Sequence, residues 1–349
     1  MKNISTIKKI LLASIGFVLL IGLIKLFSFS TNQSGEDAIY QNYVGQYYKV
    51  FSLNIPKNLN FAGEKVPIED FDVRERLDRE LLVNTYWQSQ SILMHKRANR
   101  WFPVVEPILK RNGIPDDFKY LALIESGFTN VVSPAGATGF WQLMDEAGKS
   151  YGLEINKEID ERYNVEKSTE AACKYLRDAF KKYNNWTMAA ASYNAGMNGI
   201  ARQIDKQKSN NYYELLLNEE TARYLFRILS LKEIITNPKQ YGFHIRKQDL
   251  YPPLPAYTIK VDTTITDLVD FACKNNTNYR LLKILNPWIK QNYLPIKNGK
   301  SYQIKLPKEN CNAVYDSFVS ETAFKDSIGY FIGTDINKLT TSKDSFFVK

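Results

Sequence analysis

The chain has 349 residues, of which 44% are hydrophobic and 24% charged, a composition that excludes a disordered or fibrous class and leaves room for one large core plus a smaller domain. Its net charge of +9 favours an anionic surface or polymer, but no dense Lys/Arg block interleaved with aromatics is present, so nucleic acid is not an expected partner. Cys173, Cys273 and Cys311 form no C-x-x-C pair and His95 and His244 are the only histidines, which argues against a zinc ribbon, a dense disulfide scaffold, a Ser-His-Asp triad or a His-rich metal site.

Residues 1–30 place Lys2, Lys8 and Lys9 before an apolar or small run from Ile10 to Ile24, the pattern of an export signal. Extending the run to Phe29 gives about the 20 residues that cross a bilayer. Ser28-Phe29-Ser30 also offers a small-x-small cleavage site. A cleaved signal peptide and an uncleaved membrane anchor both stay open; no cysteine follows that could carry a lipoprotein anchor. Either way the remainder is expected outside the cytoplasm, in the periplasm or cell envelope. Residues 31–70 are polar and read as a linker with a short strand.

From residue 71 the pattern turns helical. "DVRERLDRELLVNTYWQSQSILMHKRANRWF" predicts one long amphipathic helix up to Pro103, and "VEPILKRNG" a short one ended by Gly113. Gly113-Ile114-Pro115-Asp116-Asp117 then reads as a helix start, with φ preset by Pro115 and two carboxylates at the positive end of the dipole. A loop, "NVVSPAGATGFWQLM", follows. "STEAACKYLRDAFKKYN" predicts a helix capped by Ser168, "NWTMAAASYNAG" another stopped by Gly196, and "NEETARYLFRILSLKEII" a third ending near Asn237-Pro238. The stretch 71–245 is therefore expected to be all-helical. Tyr251-Pro252-Pro253-Leu254-Pro255 is a stiff linker. Beyond it, "YTIKV", "ITDLVDFACKNN", "LLKILNPW" and "KSYQIKLP" predict a βααβ unit over 256–307, followed by a polar tail, 308–349.

The most informative stretch is "YLALIESGF". Phe118, Leu121, Ala122 and Glu125 share one stripe, and Lys119 is the only other charge between Phe118 and Phe128. A carboxylate on so apolar a helix is desolvated, its pKa rises, and it stays protonated near neutral pH, as a general acid requires. The competing reading is a Glu paired with an Arg from a neighbouring helix.

"ALIESGF", "SPAGATGFWQLM", "AAASYNAG" and "EETARYL" occur in this order. Together they resemble the catalytic domain of the soluble lytic transglycosylases, a goose-type lysozyme-like family, from about residue 82 to 241. The resemblance implies a mainly α, lysozyme-like catalytic domain acting on peptidoglycan glycan strands, with no metal or cofactor. It implies that Glu125 serves as general acid and then base, cutting between N-acetylmuramic acid and N-acetylglucosamine to leave a 1,6-anhydro end. It further implies that Ser126 follows the acid, that Ser133 and Gln142 contact substrate near the scissile bond, and that Met144 lines the sugar cleft. Tyr193 and Asn194 would approach the acid and the sugar, and Glu220 and Tyr224 would form an outer wall. Asp145 stands where relatives carry Pro, and Asn164 in "DERYN" replaces a carboxylate; both departures concern loop shape.

Residues 257–307 resemble a LysM module, with "VDTTI" in place of the usual Gly-Asp-Thr-Leu. Two rival readings stay open: a muramidase of the same fold, with Asp145 or Glu146 as candidate second carboxylates, and a silent wall-binding protein.

Overall fold

The computed structural model describes residues 50–297, 299–309, 311 and 314–315, together with 16, 17, 20, 21, 24, 25 and 45. The expectations for residues 1–30 and for the tail past 315 fall almost entirely outside the described residues. Among those described, no helix is long and apolar enough to cross a membrane.

A two-residue hairpin comes first, β1 (Asn60–Phe61) pairing antiparallel with β2 (Glu64–Lys65). Its turn residues Ala62 and Gly63 both have positive φ, which matches the right-handed strand twist. Phe61 is fully buried and meets Phe118 edge to face at 5.1 Å. Leu59, Val66 and Ile68 join it in the main core, so residues 59–68 are not the linker expected from their polarity.

The first long helical stretch breaks at Trp87 into α1 (Phe71–Tyr86) and α2 (Gln88–Arg111). No Gly or Pro marks this break. Tertiary bonds hold it: Asn84 donates to the Ser230 hydroxyl at 2.8 Å, and the Asn84 carbonyl accepts from Ser91 Oγ. α2 also runs straight through Pro103 and Pro107 instead of ending there. Both prolines are exposed, so the carbonyls they leave unpaired lie on the wetter side of the helix.

α3 (Phe118–Ser126) carries Glu125, and Gly127 ends it in the left-handed conformation at φ 57°, as its sequence position suggested. Asp117, just before α3, accepts from Ala62 N at 2.7 Å and Lys232 Nζ at 2.6 Å, fixing the helix start between the hairpin and the later helix that carries Lys232. The next loop contains a short helix, α4 (Asp145–Ser150). α5 (Val165–Tyr183) is capped by Asn164, whose side chain accepts from Lys167 N at 3.1 Å; Ser168, the expected cap, is fully buried one turn inside.

α6 (Trp186–Ala195) is apolar on all sides. Its Ala189-Ala190-Ala191 run is fully buried, and it packs against α5, α8 (Glu219–Thr236) and α7 (Met197–Gln207). α7 was not legible: Gly196 ends α6 and, at φ 74° and ψ 145°, starts α7 at once. α8 packs on α1, α3 and α6, and so faces the Glu125 helix directly.

The C-terminal strands β3 (Ala256–Val261) and β4 (Tyr302–Pro307) pair antiparallel from Ala256↔Pro307 to Val261↔Tyr302. Between them lie α9 (Leu268–Lys274) and α10 (Tyr279–Leu285), giving the expected βααβ order. This unit has its own core, including Leu268, Leu282, Trp288, Ile289 and Ile304. It is not a loose appendage, because Ile159 from the helical part is buried in that same core. Pro252 and Tyr251 of the linker accept from Arg100 and Asn99 of α2, both at 2.9 Å.

Candidate active site

Glu125 sits in the last turn of α3, partly exposed, with Leu121, Ala122 and Ile124 buried around it. Burial pushes its carboxyl above the ordinary value of 4.5; a hydrogen bond from Tyr224 and the charge of Arg227 oppose the rise, and the charge of Glu220 adds to it. Desolvation outweighs its partners, and no ion pair to Glu125 exists among the described residues. The site therefore holds a protonatable carboxyl rather than a structural Glu–Arg bridge.

The hydroxyl of fully buried Tyr224 donates to Glu125 Oε1. The sequence reading puts Tyr224 on an outer wall and Tyr193 near the acid; the structure instead buries Tyr224 on the Glu125 carboxyl, with Tyr193 nearby but bonded elsewhere. Tyr193 donates to the Trp141 carbonyl at 2.7 Å, and burial first, then the charge of nearby Glu125, raises its phenol. Asn194 donates to Glu220 Oε1 at 3.0 Å and accepts from Thr221 Oγ1 at 2.8 Å, tying the end of α6 to the start of α8. Glu220 itself is exposed.

Arg227 was missed. It lies one turn beyond Tyr224, donates to the Ile124 carbonyl at 3.1 Å, and places a positive charge near the acid. The signal was present: Glu220, Tyr224 and Arg227 stand at i, i+4 and i+7 and so share one face of the helix.

The loop 131–143 forms the other side. Ser126 Oγ donates to the Phe140 carbonyl at 2.9 Å and accepts from Phe128 N at 3.1 Å, so this serine fastens loop to helix. Phe128 and Gln142 both hold positive φ, 52° and 45°, conformations that bulky residues adopt only when surroundings over-determine them. Gln142 Nε2 donates to the Gly139 and Val131 carbonyls at 2.8 and 3.1 Å. Ser133 closes its own turn, accepting from Ala137 N at 3.0 Å. Met144 is 46% exposed and precedes α4, so it is surface rather than core.

The buried pair Asp160–Arg162 was also not anticipated as part of this region. Arg162 reaches the Gly136 and Leu143 carbonyls, both at 3.2 Å. Gly139 packs so closely on the Arg162 carbonyl that an added Cβ would lie 2.2 Å from it. Asp145 pairs with Lys149 at 2.6 Å, which holds its carboxyl below the usual range, and Glu146 is exposed; neither has the setting of an acid. Glu125 is not part of the cavity of about 290 Å³ that lies between the helical part and the C-terminal unit, walled by Trp101, Phe140, Tyr163 and Trp288.

Residues 104–216 match the family model described as "Transglycosylase SLT domain". The chain carries a transglycosylase SLT domain. Residues 257–310 match a second model, "Soluble lytic transglycosylase C-terminal LysM-like domain". The fold is thus a helical, lysozyme-like SLT domain, as the four motifs implied, followed by a LysM-like unit, as the resemblance over 257–307 implied. The SLT match takes in Glu125, Gln142 and Tyr193 but ends before α8, so Glu220, Tyr224 and Arg227 lie beyond it.

The chain is similar to "Membrane-bound lytic murein transglycosylase D" of Escherichia coli, with 25% identity over 269 residues, covering 74% of this chain and 58% of the relative. It is also similar to a "Putative tributyltin chloride resistance protein" of an Alteromonas species, with 31% identity over 122 residues, covering 34% of this chain and 58% of that relative. The chain thus spans 58% of the length of these curated relatives.

Proposed function

We propose that the chain is a peptidoglycan lytic transglycosylase of the cell envelope. Protonated Glu125 donates its proton to the glycosidic oxygen as the bond between N-acetylmuramic acid and N-acetylglucosamine breaks. The resulting carboxylate, steadied by the Tyr224 hydroxyl and the Arg227 charge, then takes the proton of the muramic 6-hydroxyl. That oxygen closes on the anomeric carbon of its own sugar, so Glu125 ends protonated and no water is consumed. The N-acetyl group stabilises the oxocarbenium-like centre in place of a second protein carboxylate.

The observation that carries this reading is the desolvated Glu125 carboxyl, with Tyr224 on one oxygen and no ion pair among the described residues. SLT-domain membership supports the substrate class. Gln142, Ser133, Met144 and Asn194 are proposed to line the sugar path, with Tyr193 and Glu220 flanking the acid. An N-terminal export signal or membrane anchor would deliver the enzyme to its substrate.

Glu125→Gln keeps the shape and removes the proton. It should reduce cleavage of purified peptidoglycan by at least about 1,000-fold, within reach of a lost general acid that also acts as base. Retention on sedimented peptidoglycan should not change. Cleavage within a few-fold of the parent would move the acid to another residue.

A further inference from the structure

We infer that Arg162 is a positioning residue for loop 136–143, and that the LysM-like unit holds the sugar-cleft loop in place through it. The guanidinium binds Asp160 with two parallel bonds, Nε to Oδ1 at 2.9 Å and Nη2 to Oδ2 at 2.8 Å. Its remaining arm, Nη1, spans the loop by donating to the carbonyls of Gly136 and Leu143, the two ends of the turn that carries Gln142. Only a rigid planar fork serves a carboxylate and two carbonyls at once. Both partners are buried, Asp160 at 4% and Arg162 at 9% exposure, so neither bond is screened by solvent.

The same loop gives the Phe140 carbonyl to Ser126, next to Glu125, and the Trp141 carbonyl to Tyr193. Arg162 therefore grips the far side of a segment whose near side touches the acid helix.

Asp160 is in turn held by the C-terminal unit. Its N–H donates to the Trp288 carbonyl at 2.9 Å, and Lys290 N donates to the Glu158 carbonyl at 2.8 Å, closing an antiparallel bridge between Ile159 and Ile289. Ile159 fills the core of the LysM-like unit at 2% exposure. Tyr302 and Lys300 bind Glu154 at 3.0 and 3.1 Å, and Glu154 N donates to buried Glu161 at 2.8 Å. An unbroken series of contacts thus runs from Trp288 through Asp160 and Arg162 to Leu143, beside Gln142. In this arrangement the LysM-like unit is a structural part of the cleft as well as any anchor on the wall.

The test uses the full chain with Lys290→Pro, Arg162→Gln and the double variant. Lys290 is exposed and Ile289 already lies in a bridge, so proline removes the Lys290 N–H and its Nζ contact with the Asn156 carbonyl at 3.3 Å, both across the same junction, without forcing its neighbour out of the extended region. In variants that keep native circular dichroism, amide hydrogen exchange over 131–143 should quicken by about 10-fold in both single variants. A Lys290→Pro effect confined to 279–307 overturns the inference. The kinetic readout rests on the proposed reaction: with soluble glycan fragments, both variants should lose kcat by about 10- to 100-fold with KM nearly unchanged, as loss of positioning does.

The double variant should be no worse than the poorer single one, because both changes cut one path. Multiplying losses, or variants that melt lower yet turn over at the parental rate, overturn the inference. A parent chain that cuts no glycan removes the proposed reaction, and the exchange result still decides this one.

Discussion

At Glu125 the balance of burial against hydrogen bonding sets the chemistry, and both sides can be moved. The Tyr224 hydroxyl lowers the carboxyl pKa against the larger upward push of burial. Tyr224→Phe removes only that oxygen, so the pKa should rise further. Activity that needs the protonated acid is lost as pH rises through this pKa, so the alkaline limb of the pH–rate profile should move upward. An unmoved or falling limb would contradict the contact. The raised pKa is also a stability statement. A carboxyl that holds its proton more tightly when folded stabilises the fold fully below its unfolded value of 4.5 and loses that contribution as pH climbs to the folded value. Glu125→Gln, which cannot ionise, should therefore melt higher than the parent at about pH 8, with the gap shrinking below the unfolded pKa. Equal melting at both pH values would show that burial does not strain this carboxylate. The sequence made Glu125 legible because a lone charge on an apolar helix is rare. The choice between Tyr193 and Tyr224 was not legible, because which phenol reaches the carboxylate depends on how α8 crosses α3.

At the scale of elements, local signals read well where propensity and tertiary context agreed and failed where contacts overrode them. Helices α3, α6 and α8 and the βααβ unit stood out through periodicity and their Gly and Asn boundaries. The Trp87 break has no Gly or Pro signal: Ser91 closes on the Asn84 carbonyl across it, and Ser230 of α8 holds the Asn84 side chain from the neighbouring helix. Two exposed prolines failed to stop α2 for the complementary reason. At α5 a serine in the right composition was chosen over Asn164, whose amide oxygen caps the helix four residues earlier. Asn164→Ala should lower stability by about 1 kcal/mol in denaturant unfolding, the usual cost of a lost cap. Ser168→Ala removes no cap. If Ser168→Ala alone destabilises through fraying of the first turn, the assignment of the cap is wrong.

For the whole molecule, Ile159 of the helical part is buried in the core of the LysM-like unit, and the acid helix, the 131–143 loop and the LysM-like unit are joined through buried polar bonds. Domain order was legible in the change of period near the Pro-rich linker. The union of the two parts was not, because it joins 154–160 to 288–305 through backbone bonds at Glu158, Asp160, Trp288 and Lys290 and through isolated side chains such as Glu154, Lys300 and Tyr302, which form no periodic pattern. The electrostatics of the assembled chain, +9 overall, suit the anionic envelope in which it is proposed to act. In the proposed reaction one carboxyl, with no activated water, cuts the glycan. The most direct test is mass spectrometry of the fragments released from purified peptidoglycan by the chain lacking residues 1–30. The expected products are disaccharide-peptide fragments lighter by one water than their hydrolysed counterparts and unchanged by borohydride, because a 1,6-anhydro end has no free aldehyde. Fully hydrated, reducible ends would contradict it and make the protein a muramidase, with Glu220, the carboxylate whose charge already reaches Glu125, as the first candidate to activate the water.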